Sequence, residues 1–285
     1  MIKHKRGEKM NSKLFLLIAC LSIVLLVSGC GIIGGEEAEF EDSNLEEAIR
    51  EEIDKERGTI YQAEVEEIKE LYASGKGIRS LEGIANLKEL EKLNLNQNQI
   101  EDLSPLLDLP ELKDLSLQEN DLTEISVVAE LKNLEALSLA NNRIEDITPL
   151  QELSNLKSLN LSTNQLTEID EIAELKDLQK LILDRNEIED ISPLVELDNL
   201  KELFFVHNQV EDISPLAEIT SLETLSFGYN NVDDISPLVE NEGLGKGNFI
   251  NFEENNLDYQ EDSEDMENIN LLLERNIQLL YRRMY

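Results

Sequence analysis

The sequence has few of the residues that most catalytic and metal-binding sites use. It has 285 residues but only two cysteines, two histidines and no tryptophan. Cys20 lies within an apolar N-terminal run and Cys30 follows that run closely, so we expect no disulfide and no thiolate metal site in the folded part. His4 is also near the N-terminus, which leaves His207 as the one histidine of the remaining chain. We therefore predict no metal site.

The sequence also lacks the loops that are typical of common enzyme families. It contains no glycine-rich phosphate loop and no G-x-S-x-G turn for a serine nucleophile. Composition alone leaves room for a Ser-His-Asp arrangement, but no motif supports one. We predict that the protein is not an enzyme, has no catalytic residues and binds no cofactor.

Positive charge is scarce as well, with 25 basic against 61 acidic residues and a net charge of −36. Such a surface repels nucleic acid, so we expect no nucleic-acid partner. Solubility is the simpler interpretation of the charge. Acidic pairs such as Glu145-Asp146 and Glu189-Asp190 recur along one edge, however, and hard cations prefer oxygen ligands. An envelope scaffold or cation-responsive protein acting through this edge is therefore the alternative function.

The N-terminus has the layout of a secretory signal peptide. Basic residues between Lys3 and Lys13 precede an apolar stretch over residues 14–27, which is short for a membrane span. The residues VSGC at 27–30 resemble the bacterial lipobox. That resemblance implies cleavage after Gly29 and a diacylglycerol on Cys30, often with an acyl chain such as palmitate on its amino group. We expect a lipid anchor on the outer side of the bacterial cell membrane; an uncleaved N-terminal anchor is the alternative.

A repeat of 22 residues organises the rest of the chain. The frame is L-x-x-L-x-L-x-x-N-x-I-x-D-I-S-P-L-x-x-L, and we number its places from the first leucine. Seven full units begin at Leu90, Leu112, Leu134, Leu156, Leu178, Leu200 and Leu222. A fixed period with this frame is the signature of leucine-rich repeats. It predicts an α/β repeat solenoid, an arc with parallel strands on its concave face and short 3₁₀ or helical turns on the return side.

Each part of the frame has a predicted structural role. The L-x-L pair alternates as a short strand does, and asparagine at place nine is expected to pair with backbone groups where the chain leaves the strand. The serine or threonine before proline is expected to cap a short helix. These roles explain the recurring polar residues without a ligand.

Helical caps are expected at both ends, because a stacked core exposes apolar surface there. Asn44 is predicted to cap the first helix and Ser263 the last. The predicted segments are a lipoprotein signal peptide over 1–29, a flexible tether over 30–43, a helical N-terminal cap over 44–67, leucine-rich repeats over 68–258, and a C-terminal cap helix and tail over 259–285.

The D-I-S-P-L unit resembles the repeat of the bacterial internalin family, and residues 45–84 resemble the helical cap that introduces such arrays. The resemblance implies a curved solenoid whose concave face binds other proteins, in some members host-cell receptors. It does not extend to a cell-wall sorting motif or an immunoglobulin-like module, so attachment is expected through the lipid.

One stretch, LFFV at 203–206, has four apolar residues where other units alternate. Places five, seven and eight should face the concave side, where early units have small polar residues and later units have large ones. A large apolar patch with a polar rim is typical of a contact site. Coverage of the patch by the C-terminal cap or by self-packing is the alternative. The residues predicted to bind a protein ligand with a basic or apolar surface are Ile182, Arg185, Phe204, Val206, His207 and Tyr229.

Overall fold

A computed structural model describes residues 35–281 of the chain. Within these residues, the chain from Glu36 onwards forms one compact unit. The predicted signal peptide and Cys30 lie outside the described residues. No helix within residues 35–281 has the length and apolar character needed to span a membrane.

The strands form one parallel sheet in which spatial order follows chain order. Each strand has three residues, and the 22-residue period places the central leucine of one strand beside that of the next, as at Leu181 and Leu203. The predicted solenoid is therefore confirmed. The strands are β1 Glu70–Tyr72, β2 Lys92–Asn94, β3 Asp114–Ser116, β4 Ala136–Ser138, β5 Ser158–Asn160, β6 Lys180–Ile182, β7 Glu202–Phe204, β8 Thr224–Ser226, β9 Phe249–Asn251 and β10 Gln278–Leu280.

Short helices run along the return side, as expected. The 3₁₀ helices there are Ile84–Asn86, Ser104–Asp108, Ser126–Glu130, Thr148–Glu152, Asp170–Glu174, Ser192–Glu196 and Ser214–Ala217, and the helix α3, Ser236–Glu240, follows them. The prediction that Ser or Thr caps these helices is wrong. The aspartate two residues earlier takes that role: Asp102 Oδ1 accepts the Ser104 N–H at 2.8 Å, and Asp190 does the same for Ser192 at 2.7 Å.

Leucine and isoleucine side chains fill the space between the sheet and the return side. At place six the later units replace leucine with aromatic residues. The rings of Phe205 and Phe227 stack with centroids 5.5 Å apart, and those of Phe227 and Phe252 with centroids 6.0 Å apart. Stacked aromatic pairs add about 0.5–1.5 kcal/mol each beyond their buried area. The stacked rings therefore connect neighbouring units in the C-terminal half of the core.

The N-terminal cap consists of α1, Ser43–Glu52, and the single turn α2, Gln62–Val65. Asp42, not the predicted Asn44, caps α1, because its side chain accepts the N–H groups of Asn44 and Leu45. The tether predicted over residues 30–43 is also too long. Ala38 is buried, and its N–H donates to the Ile60 carbonyl at 2.9 Å, because the apolar side chains of this segment pack on the core.

The C-terminal cap is the helix α4, Glu264–Glu274, followed by β10. Ser263 caps α4 as predicted, since its side chain accepts the Met266 N–H. Arg275 follows the helix and donates to the carbonyls of Asn241 at 3.0 Å and Val239 at 2.5 Å. This arginine therefore holds the cap helix against the end of the repeats.

Candidate functional site

The asparagines at place nine, which we call the asparagine ladder, hold the ends of the strands where the candidate residues lie. Asn208 Nδ2 donates to the carbonyls of Leu183 and Phe205, both at 3.0 Å, and its Oδ1 accepts the Ile188 N–H at 3.1 Å. One side chain thus joins backbone groups of two units. As predicted, these asparagines pair with backbone groups where the chain leaves the strand.

The residue before each ladder asparagine adopts a left-handed backbone. Arg185, His207 and Tyr229 have φ values of 57°, 58° and 57°. Because this conformation recurs at the same place in adjacent units, we name these three residues the place-eight row. The rings of His207 and Tyr229 stack with centroids 4.2 Å apart, and Arg185 is exposed.

Ile182, Phe204 and Val206 form the apolar patch on β6 and β7. Ile182 and Phe204 are direct neighbours in the sheet, and all three side chains are half-buried. Leu203 and Phe205, which alternate with them, are fully buried. Phe204 and Val206 therefore face away from the core, as the strand period requires.

Two charged residues beside Phe204 were not among those predicted. Lys180 and Glu202, both at place three, form an ion pair of 2.7 Å. The Lys180 Nζ also lies 5.6 Å from the centroid of the Phe204 ring, within reach of a cation–π interaction. Place three alternates with place four and so shares a face with place five. The alternation of side chains along the strand could therefore have identified Lys180 and Glu202 as residues on the same face as Phe204.

Asp184 is half-buried on the same face. Its Oδ1 accepts the Val206 N–H at 2.7 Å. Burial raises the pKa of the Asp184 carboxyl, while that hydrogen bond and the charges of Arg185 and His207 oppose the shift. The carboxylate therefore lies in partly desolvated surroundings at the border of the apolar patch.

Small residues on β8 and just after it end the apolar patch on the C-terminal side. Ser226 is buried, and Asn251 Nδ2 donates to its hydroxyl at 3.1 Å. Gly228 lies against Glu253. A Cβ atom added to Gly228 would be 3.2 Å from the Glu253 Cγ. The apolar patch thus covers two units, and the place-eight row continues one unit further to Tyr229.

The concave face is nearly neutral although the chain is strongly acidic. Places five, seven and eight in each of the seven full units hold 21 residues, and those charged at neutral pH are Glu119, Asp184 and Arg185. At place three, which shares this face, the bases Lys92 and Lys180 balance the acids Asp114 and Glu202. In an early unit, Asn96 Oδ1 accepts the Ser116 hydroxyl at 2.7 Å. Amide and hydroxyl groups thus pair with one another there, and the acidic charge lies elsewhere on the surface.

Comparisons with known proteins agree with this geometry. The family model Leucine Rich repeats (2 copies) matches residues 66–108, 110–152 and 198–240, and the model Leucine rich repeat matches 132–188. The structure of internalin C2 from Listeria monocytogenes is 35% identical, covers 75% of this chain and 97% of its own, and has a TM-score of 0.71. This chain belongs to the internalin-type leucine-rich repeat proteins. A comparison with curated proteins gives no match.

Two further structures resemble this internalin-type chain. A leucine-rich repeat protein of Leptospira interrogans is 27% identical, with a TM-score of 0.65 over 77% of this chain and 56% of that one. The functional domain of InlJ from L. monocytogenes shares the fold at 21% identity, with a TM-score of 0.54 over 88% of this chain and 62% of that domain, which includes a cysteine ladder. The ladder in the internalin-type chain described here is built from asparagine.

Part of the acidic edge of this internalin-type chain has a structural role. Asp146 Oδ1 accepts the Thr148 N–H at 2.8 Å, and hydrogen bonds from Thr148 lower the pKa of the Asp146 carboxyl. Asp212 accepts the Ser214 N–H in the same way. Across residues 35–281 no three or more His, Cys, Asp or Glu side chains are grouped so that they can hold a metal ion.

Proposed function

We propose that this internalin-type chain is a lipid-anchored bacterial surface protein that binds a protein partner through the concave face of its solenoid. The leucine-rich repeat fold supports a protein-interaction role. The observation that carries the proposal is the apolar patch, which lies on a nearly neutral face of a chain with a net charge of −36. We assign the protein no enzymatic activity.

Physical chemistry favours this face over the others. An acidic surface repels most cellular macromolecules, whereas a neutral face lets a partner approach closely. Full burial of an exposed large apolar side chain contributes about 1.5–3 kcal/mol, and Phe204 and Val206, which are half-buried, can supply part of that on binding. Both are held on a regular strand or directly after it, and little side-chain entropy is lost when a preorganised surface binds.

The place-eight row supports the same face. Tyrosine and arginine are enriched among the residues that dominate binding energy at protein interfaces. Tyr229 is 41% exposed, although its ring is already held against His207. We therefore expect Arg185, His207 and Tyr229 to form the rim of the contact around the apolar patch.

The lipid anchor is the second part of the proposal and is supported by the sequence. Cys30 follows the lipobox-like residues, and several acyl chains on one residue anchor a protein stably. Cells fed labelled palmitate should yield a labelled wild-type protein in the membrane fraction. The Cys30→Ala variant should lose the label and leave that fraction. Retention of the label by the variant would contradict the anchor.

The partner can be identified with a photo-crosslinking amino acid placed at Arg185 in intact cells. The matched control places the same amino acid at Ser138, which lies at place five on β4, outside the apolar patch. We expect a protein crosslinked from position 185 and not from position 138. Phe204→Asp should abolish that crosslink and Ser138→Asp should not. Equal crosslinking in both variants would refute binding at the apolar patch.

A further inference from the structure

The border of the apolar patch contains one carboxylate whose position is unusual. Asp184 follows Ile182 by two residues, so both side chains face the concave side. It also neighbours Val206, whose N–H it accepts at 2.7 Å. Desolvation of a charged group is costly unless another charge or several hydrogen bonds compensate for it. The desolvation cost of a charged Asp184 in this place therefore requires an explanation.

An earlier unit shows that the fold does not need this charge. Asn96 also lies at place seven, and its Oδ1 accepts the Gln118 N–H at 2.8 Å. Gln118 is in the next unit at the place that Val206 occupies relative to Asp184. A neutral amide thus makes the same hydrogen bond, so the negative charge of Asp184 is not required by the scaffold.

The charges of Arg185 and His207 favour this carboxylate, but neither residue forms an ion pair with it within residues 35–281. The nearby Lys180 is paired with Glu202 at 2.7 Å, and no ion pair there includes Asp184 or Arg185. One carboxylate oxygen accepts the Val206 N–H, and the other receives no hydrogen bond from the described residues. An apolar partner lying over the apolar patch would remove water from this carboxylate without replacing its hydrogen bonds.

We propose that the partner places a lysine or arginine side chain against Asp184 and a neighbouring apolar side chain against Phe204 and Val206. This inference rests on the proposed function, that the concave face binds a protein. A basic side chain compensates the carboxylate with its charged end, and its aliphatic stem covers apolar surface. The net charge of −36 also attracts a basic segment from a distance. The surface is therefore complementary to a segment in which basic and apolar residues adjoin.

The test uses a phage-displayed library of random dodecapeptides selected on the full-length protein, with Phe204→Asp protein as the counter-selection. Recovered peptides should contain lysine or arginine next to an aromatic or aliphatic residue. Asp184→Asn should weaken their binding about tenfold, as expected for a close charge pair. Replacement of the basic residue of the peptide by glutamine should weaken binding to the wild type equally, and should have no effect on binding to Asp184→Asn.

The control is Asn96→Asp, the reverse exchange at the same place outside the apolar patch. Asp184→Asn should unfold at no lower temperature than the wild type, because it removes a partly desolvated charge, and Asn96→Asp should stay folded and bind the peptides as the wild type does. Peptides that require Phe204 but have no basic residue, and bind Asp184→Asn normally, would overturn this inference and leave the proposed function intact. If no peptide distinguishes the wild type from Phe204→Asp, the proposed function fails as well.

Discussion

The imidazole of His207 and the phenol ring of Tyr229 stack with centroids 4.2 Å apart and planes inclined by 22°. The two residues are 22 positions apart and share the left-handed backbone at place eight. In this conformation a non-glycine residue is strained by about 1–2 kcal/mol. The stack offsets part of that strain, whereas Thr163, which has no aromatic ring, adopts the same backbone in another unit.

Thr163 is expected to be the most strained residue of this kind, since it is β-branched and has a φ of 55°. Thr163→Gly should therefore raise the free energy of unfolding by about 0.5–1 kcal/mol, because the relief of strain exceeds the entropy cost of glycine. His207→Gly should lower it, since the ring contact is lost. Urea unfolding of both variants measures this, and a similar change in both would contradict the role given to the stack.

The period of 22 residues was sufficient to predict the sheet and its register. A shift of one residue would turn Leu203 and Phe205 towards solvent, so the hydrophobic pattern permits one solution. The cap was harder to predict because the residues Asp42, Ser43 and Asn44 are all able to cap a helix. A distant contact decides among them: Asp42 Oδ2 accepts the Arg79 N–H at 2.8 Å. Such a contact has no local signal in the sequence.

A second prediction concerns the contribution of the asparagine ladder to the free energy of unfolding. Asn142 Nδ2 donates to the carbonyls of Leu117 at 3.0 Å and Leu139 at 2.9 Å, and its Oδ1 accepts the Leu122 N–H at 2.9 Å. Asn142→Ala leaves these buried backbone groups unpaired and should lower the free energy of unfolding by roughly 2–4 kcal/mol. Gln165→Ala, at an exposed position, should change it by less than about 0.5 kcal/mol. Equal effects in urea unfolding would show that the ladder is dispensable.

The candidate site was only partly predictable. The strand period correctly placed Phe204 and Val206 on the concave face. The stacking of His207 on Tyr229 was not foreseen, because place eight also holds residues such as Gln97 and Glu119 that give no sign of a left-handed backbone. Asp184 was not among the residues predicted to bind a partner. Its importance depends on the hydrogen bond to Val206, which is a tertiary contact.

A third prediction separates core from surface among the aromatic residues. Phe227 is fully buried between Phe205 and Phe252, so Phe227→Ala should lower the free energy of unfolding by about 3–5 kcal/mol. Phe204→Ala should lower it by less than about 1.5 kcal/mol, because that ring is half-buried and lies outside the core. Urea unfolding of the pair is the measurement. A loss at Phe204 equal to that at Phe227 would show that Phe204 is a core residue.

The C-terminal cap should respond to pH through Asp265. This residue is buried, and its Oδ2 accepts the Asp258 N–H at 2.7 Å. Burial raises the pKa of the Asp265 carboxyl, and the charges of Asp234, Asp258 and Asp233 raise it further. The folded state therefore binds a proton at Asp265 more readily than the unfolded state does. It follows that the contribution of Asp265 to stability falls as pH rises through its folded-state pKa.

Asp265→Asn removes this titration and keeps an oxygen that can accept the Asp258 N–H. We expect the variant to unfold at a higher urea concentration than the wild type at pH 7, where Asp265 is charged and repelled by its neighbours. The difference should shrink as the pH is lowered through the folded-state pKa of Asp265, where the wild-type carboxyl becomes protonated. Carboxylates distant from Asp265 titrate alike in both proteins and cancel in the comparison, whereas Asp233, Asp234 and Asp258 lose a repulsive neighbour in the variant. A difference that does not change with pH would mean that folding leaves the pKa of Asp265 unshifted, and a difference that favours the wild type at pH 7 would mean that the cap stabilises the charged form.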